Sequence, residues 1–160
     1  MRKRLGEMFI SIGEKLCGKK QNDIDLESVE KLLVHKRYRK NFSVKELREK
    51  SKEWILKLVE KKDRIPKALK GKDVVFNGYK EKVEIIDHPF VGKLLYLQFY
   101  RRKWKEKGTT KSYCNQYELH PPGMKATKEF GSFLKELDRQ ERDEFFYTFQ
   151  DIRHISQEDF

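Results

Sequence analysis

The run Tyr96-Leu97-Gln98-Phe99-Tyr100-Arg101-Arg102-Lys103-Trp104 brings four aromatic rings and three cations within nine residues. Rings of this kind stack on nucleic-acid bases, and Arg and Lys contact phosphates. If the run is a strand, alternation puts Tyr96, Gln98, Tyr100, Arg102 and Trp104 on one side and Leu95, Leu97, Phe99, Arg101 and Lys103 on the other. The second side opens apolar and suits a core. The first mixes rings with guanidinium and is either a nucleic-acid surface or the cover of a neighbouring helix.

A second basic group lies upstream. Lys45, Lys50, Lys52, Lys57 and Lys61 stand among the apolar residues Leu47, Trp54, Ile55 and Leu58. Contacts to backbone phosphate need positive charge and little fixed geometry, so such a segment suits them. It also reads as a solvated face balanced by Glu46, Glu49, Glu53 and Glu60.

Other chemistry is thinly supplied. Cys114, His120 and His88 are three conceivable zinc ligands without a fourth, so Cys114 is expected to be a small apolar side chain. No glycine-rich phosphate loop is found, and no Ser or His stands in a nucleophile motif. Glu84 and Asp87 lie three apart near a strand end, where a nuclease would hold a divalent ion. Paired acids there are more often simply solvated. His35 and His154 read as surface or cap residues. The expectation is no enzyme, no catalytic residue, no cofactor and no metal.

The elements that must position these residues follow from spacing. Leu5, Met8, Phe9, Ile12 and Leu16 predict a short amphipathic helix, and Leu26, Val29, Leu32 and Leu33 a second, capped by Asp25 with Ile24 as its staple. Ser43-Val44-Lys45-Glu46 has the form of a capping box and predicts a third helix over 43–62. Val74-Val75-Phe76 then leads to Asn77-Gly78, a hairpin signal, with Tyr79–Ile86 returning. Asp87-His88-Pro89 is expected to break that strand. Leu94–Trp104 reads as one long strand, Gly108-Thr109-Thr110 as a turn, and Ser112–Leu119 as the return. After the linker His120-Pro121-Pro122-Gly123, Thr127 and Asp138-x-x-Glu141 cap further helices, whose apolar stripes include Phe130, Phe133, Leu134, Leu137, Phe145, Phe146, Phe149 and Ile152. Ser156 opens another.

The formal charge is +11 over 160 residues. By segment it is +1 for residues 1–28, +9 for 29–70, +5 for 71–111 and −4 for 112–160. A surplus of this kind favours polyanions, and it sits in the middle of the chain. Two cysteines make no disulfide framework, and neither a secretory core nor an apolar span of membrane length occurs, so a cytoplasmic setting without membrane contact is expected.

One pattern resembles a known family. Val83-x-Ile85-x-Asp87-x-Pro89, then Gly92, a strand ending in Arg101-Arg102-Lys103-Trp104, and a helix start at Thr127 followed by Phe130 are similar to the N-terminal region of bacterial and archaeal insertion-sequence transposases, over roughly residues 65–160. There a zinc ribbon precedes a helix-turn-helix. The resemblance implies a first motif helix over Phe145–His154 and a turn at Ile155-Ser156. It implies them in degenerate form, since Ile65–Gly71 and Lys105–Gly108 stand where the paired zinc cysteines would be.

The expected architecture is α+β: a basic helical segment over 1–70, a small antiparallel sheet over 71–125, and a helix-turn-helix-like tail over 126–160. The expected function is nucleic-acid binding, DNA ahead of RNA, within or descended from a mobile-element or defence system. Lys45, Lys52, Lys57, Arg101, Arg102 and Lys103 would hold phosphates, with Tyr100 and Trp104 stacking. The alternative is a protein-interaction module, an inhibitor or small subunit of a nucleoprotein complex, docking through the same basic face.

Overall fold

A computed structural model describes residues 25–148. The helix expected over Leu5–Leu16, Cys17, the Ile24 staple, Phe149, Ile152, His154 and the turn at Ile155-Ser156 lie outside those residues.

The described chain is α+β. Helix α1 (Leu26–Leu33) starts at Asp25, whose carboxylate accepts from the backbone N–H groups of Glu27 and Ser28. That satisfies donors which a helix start leaves orphaned. Leu26, Val29 and Leu33 pack on the core while Leu32 remains 81% exposed. A single turn, α2 (Lys36–Arg39), then buries Tyr38, whose hydroxyl donates to the Leu119 carbonyl at 2.6 Å.

Residues 43–62 are strands, not a helix. β1 (Phe42–Glu49) and β2 (Glu53–Glu60) pair antiparallel across the turn Lys50-Ser51-Lys52. The apolar run Trp54–Val59 satisfies helical spacing, and it equally satisfies a strand covered on both faces. Packing settled the ambiguity. Ser43 is a ladder residue opposite Val59 and Glu46 opposite Lys57, so the capping-box pattern has no helix to begin.

The Asn77-Gly78 expectation also fails. β3 (Val74–Tyr79) runs straight through the dipeptide, with Gly78 at φ 80°. β4 (Val83–Phe90) belongs to another sheet and does not fold back on β3. Gly78 instead serves an irregularity in pairing between Phe76 and Tyr79, where positive φ is cheap only for glycine. β4 continues through Pro89, which an edge strand tolerates. Val91-Gly92, both at positive φ, then turn the chain into β5 (Lys93–Tyr100), the sign that a two-residue type I′ hairpin loop requires.

The long strand expected over 94–104 breaks at Arg101. β5 ends in one sheet, and β6 (Arg102–Glu106) starts another, which β7 (Ser112–Cys114) completes after the turn at Gly108. One sheet therefore has the order β1-β2-β5-β4 and the other β3-β6-β7. The first is mixed rather than purely antiparallel, because β2 and β5 run parallel. It joins strands from either side of residue 70, so the segment boundary expected there cuts through a sheet.

The four-stranded sheet is covered on both faces. Leu95, Leu97 and Phe99 meet Leu56, Leu58, Ile85, Val34 and Tyr38 on one side. Leu94, Tyr96 and Ile86 meet Met124, Ala126, Phe130 and Leu134 on the other. Phe130 and Leu134 come from α3 (Lys128–Glu136), capped by Thr127 through the Phe130 N–H. The Thr127 hydroxyl also donates to buried Asp87 at 2.8 Å, tying the helix start to β4. The expected capping box at Asp138 and Glu141 opens α4 (Arg139–Tyr147), whose Phe145 and Phe146 pack on the same cluster.

Candidate nucleic-acid interface

The break at Arg101 is held by a buried carboxylate. Glu60, at the end of β2, is 1% exposed. Its Oε2 accepts from the Arg102 backbone N–H at 2.7 Å, and its Oε1 from the Asn115 amide at 2.7 Å and from the Tyr117 hydroxyl. The Arg102 guanidinium donates through Nε to the Glu60 carbonyl at 2.7 Å. One side chain thus fastens the end of one sheet to the start of the other. Burial, and then the bond to Glu60, push the Tyr117 phenol well above its ordinary pKa.

Beyond that joint, β6 lies between β3 and β7. Arg102 faces Tyr79 across the β3 ladder, and Trp104 faces Phe76 on one side and Tyr113 on the other. The Arg102 guanidinium lies 5.1 Å from the Phe76 ring centre and 5.5 Å from that of Tyr79. Ring centres are 6.0 Å apart from Trp104 to Phe76, 5.1 Å from Phe76 to Tyr79 and 6.1 Å from Tyr79 to Tyr100. At one end the Lys57 ammonium sits 4.9 Å over Tyr100, and at the other that of Lys111 sits 5.0 Å over Tyr113. The result is a stripe of rings ending in a lysine at each side.

Exposure varies along the stripe. Phe76 is 46% and Tyr79 44% exposed, whereas Trp104 is 8% and Arg102 7% exposed. Arg102 and Trp104 therefore form the floor, and Phe76 and Tyr79 form the accessible surface. The buried Trp104 indole N–H finds no acceptor.

Of the eight residues expected to bind, Lys57, Tyr100, Arg102 and Trp104 come together here. Arg102 is buried and spends its Nε on Glu60, so it stiffens rings instead of presenting a free phosphate ligand. Arg101 turns to the Asn115 carbonyl and the Gln116 side chain. Lys103 alternates to the reverse face of β6, opposite Cys114. Lys45 falls at a pairing irregularity in β1, and Lys52 in the turn before β2. Five residues along a strand put Lys52 roughly 16 Å from Lys57.

Phe76 and Tyr79 were not among the expected residues. The signal was present, since both flank Asn77-Gly78, but that dipeptide reads as a hairpin turn and its neighbours as turn flanks. The segments that hold them and their β6 partners are basic in sequence. Residues 61–82 hold eight basic and three acidic side chains, and residues 101–111 hold six and one, a net of +10.

The alternative sites do not assemble. On β4, Glu84 lies opposite Gln98, which donates to it at 2.6 Å, while Asp87 lies opposite Leu95 on the other face. Two carboxylates so placed do not share an ion. Among the described residues no group of three or more His, Cys, Asp or Glu is arranged to hold a metal. Cys114 is half-buried, and burial raises its thiol pKa. No helix among the described residues is long and apolar enough to cross a membrane. The chain finds no match among protein-family models, curated proteins or solved structures.

Proposed function

We propose that the chain is a nucleic-acid-binding protein whose interface is the ring stripe of the three-stranded sheet together with the adjoining Tyr100 and Lys57 of β5 and β2. The observation that carries the reading is a stripe of rings, two of them nearly half exposed, set in segments with a net charge of +10. Exposed rings grouped in one patch point to an interaction site more than singly exposed residues do, and basic flanking sequence favours a polyanion as the partner. Lys57 and Lys111 contact phosphate at the ends of the stripe. The C-terminal helices play a lesser part. Residues 112–148 hold five basic and seven acidic side chains, and Phe130, Phe145 and Phe146 are spent on packing.

Salt titration tests the proposal. With about five phosphate contacts, log affinity against log salt should fall with a slope of about −4 to −5 on duplex DNA and −3 to −4 on a single strand. Replacing Lys57 and Lys111 with Ala should weaken binding to all sequences alike and flatten the slope by about 1 to 2. A flat salt response in the parent protein would overturn the proposal, and the basic face would then be read as a dock for an acidic protein.

A further inference from the structure

We infer that the ligand of the small sheet is a single strand, DNA or RNA, whose unpaired bases stack on Phe76 and Tyr79. The inference rests on the nucleic-acid reading and adds which form is bound and by which groups. Base stacking needs a ring that is exposed, rigid and on a face flat enough for a strand to lie along. Exposure is met at both positions, 46% and 44%. Rigidity comes from below: Arg102 contacts both rings and is itself locked to Glu60, and Trp104 supports Phe76 from the side. Little rotamer freedom remains to be lost when a base arrives, which favours binding.

The face also suits a single strand better than a duplex. In a duplex the bases stack on one another, and proteins read them with a helix or ribbon inserted in a groove. The exposed rings offer individual stacking surfaces, and the lysines at the two ends of the stripe offer charge where a backbone would enter and leave. Charge complementarity separates this occupant from a second copy of the chain, whose corresponding face would be equally basic.

The test compares oligodeoxythymidine, oligouridine and a hairpin duplex against the full chain at one moderate salt concentration. The variants are Phe76→Ala, Tyr79→Leu and Tyr79→Phe, each checked by thermal melting. Phe76→Ala and Tyr79→Leu should each weaken single-strand binding about 5- to 150-fold, leave duplex affinity within about twofold, and leave the salt slope unchanged. Tyr79→Phe should bind like the parent, because the ring is kept. The DNA and RNA arms identify which strand binds tighter. Equal losses on single strand and duplex would overturn the stacking role, as would unchanged single-strand affinity in folded Phe76→Ala while the parent still binds in a salt-dependent way. Self-association that disappears in Phe76→Ala would overturn it too, in favour of a second copy as occupant. If the parent binds no nucleic acid, the proposed function fails first.

Discussion

The two sheets draw on similar residues and use them in opposite ways. In the four-stranded sheet, Tyr96 and Phe99 are buried, with helices or loops covering each face. In the three-stranded sheet, Phe76 and Tyr79 keep nearly half their surface in water, although Trp104 beside them is buried. Aromatic rings are common to the strands of both. What separates core from surface is whether another layer reaches the face. β4 and β5 have α3 and the Met124–Ala126 segment above them, while the Phe76 and Tyr79 rings stay 46% and 44% exposed. An aromatic, cation-rich strand is thus evidence of binding only where it lies uncovered.

The sharpest way to break this contrast is paired truncation. Phe99→Ala opens a cavity in a fully buried site and should cost about 3–5 kcal/mol, whereas Phe76→Ala should cost on the order of 1 kcal/mol, since much of its surface is already in water. Urea titration of both variants measures the gap. Comparable losses would mean that the small sheet is packed as tightly as the large one, and the contrast would collapse.

Trp104 gives a finer measure, because it is the one ring of the stripe that behaves as core. Trp104→Phe removes an indole N–H that is buried without an acceptor, and the relief of that donor offsets part of the lost packing, so the net change should be about 1 kcal/mol or less. Affinity per folded molecule should be unchanged, since the ring is the floor of the stripe and not its surface. A large loss of single-strand affinity in stable Trp104→Phe would move Trp104 to the binding surface.

The smallest effect is a pH dependence confined to the large core. Burial raises the phenol of Tyr38, and burial with the bond to Glu60 raises that of Tyr117. The folded state therefore holds these protons where the unfolded chain releases them. Their contribution to stability is complete below the ordinary tyrosine pKa of about 10 and is lost as pH rises above it toward the raised folded values. Denaturant midpoints should decline through that alkaline window, and Tyr38→Phe should soften the decline. A midpoint that rises there would contradict the burial of these phenols.

Local chemistry was legible wherever one side chain decides the outcome. Asp25, Thr127 and the Asp138–Glu141 pair cap helices as their types and spacing require, because a cap is a bond between neighbours in sequence. Gly108 turns the chain for the same local reason. The candidate site was legible in part. Tyr100, Arg102, Trp104 and Lys57 were expected from their types and are brought together, while Phe76 and Tyr79 stayed hidden behind a dipeptide with two meanings.

What the sequence determined alone was therefore the caps, the apolar periodicity, the concentration of positive charge between residues 29 and 111, and the supply of rings available for stacking. What only the tertiary structure decided was partnership. A run such as Trp54–Val59 satisfies helix and strand alike until β1 and β5 pair with it along its two edges. The long run over 94–104 becomes two strands because Glu60, some forty residues earlier, binds Arg102 at the joint. Asn77-Gly78 becomes an irregular step within a strand because β6 pairs with Phe76 and Tyr79 on either side of it. Each of these outcomes depends on residues distant in sequence, and their contact energies exceed the few tenths of a kcal/mol by which local preference separates one backbone from another.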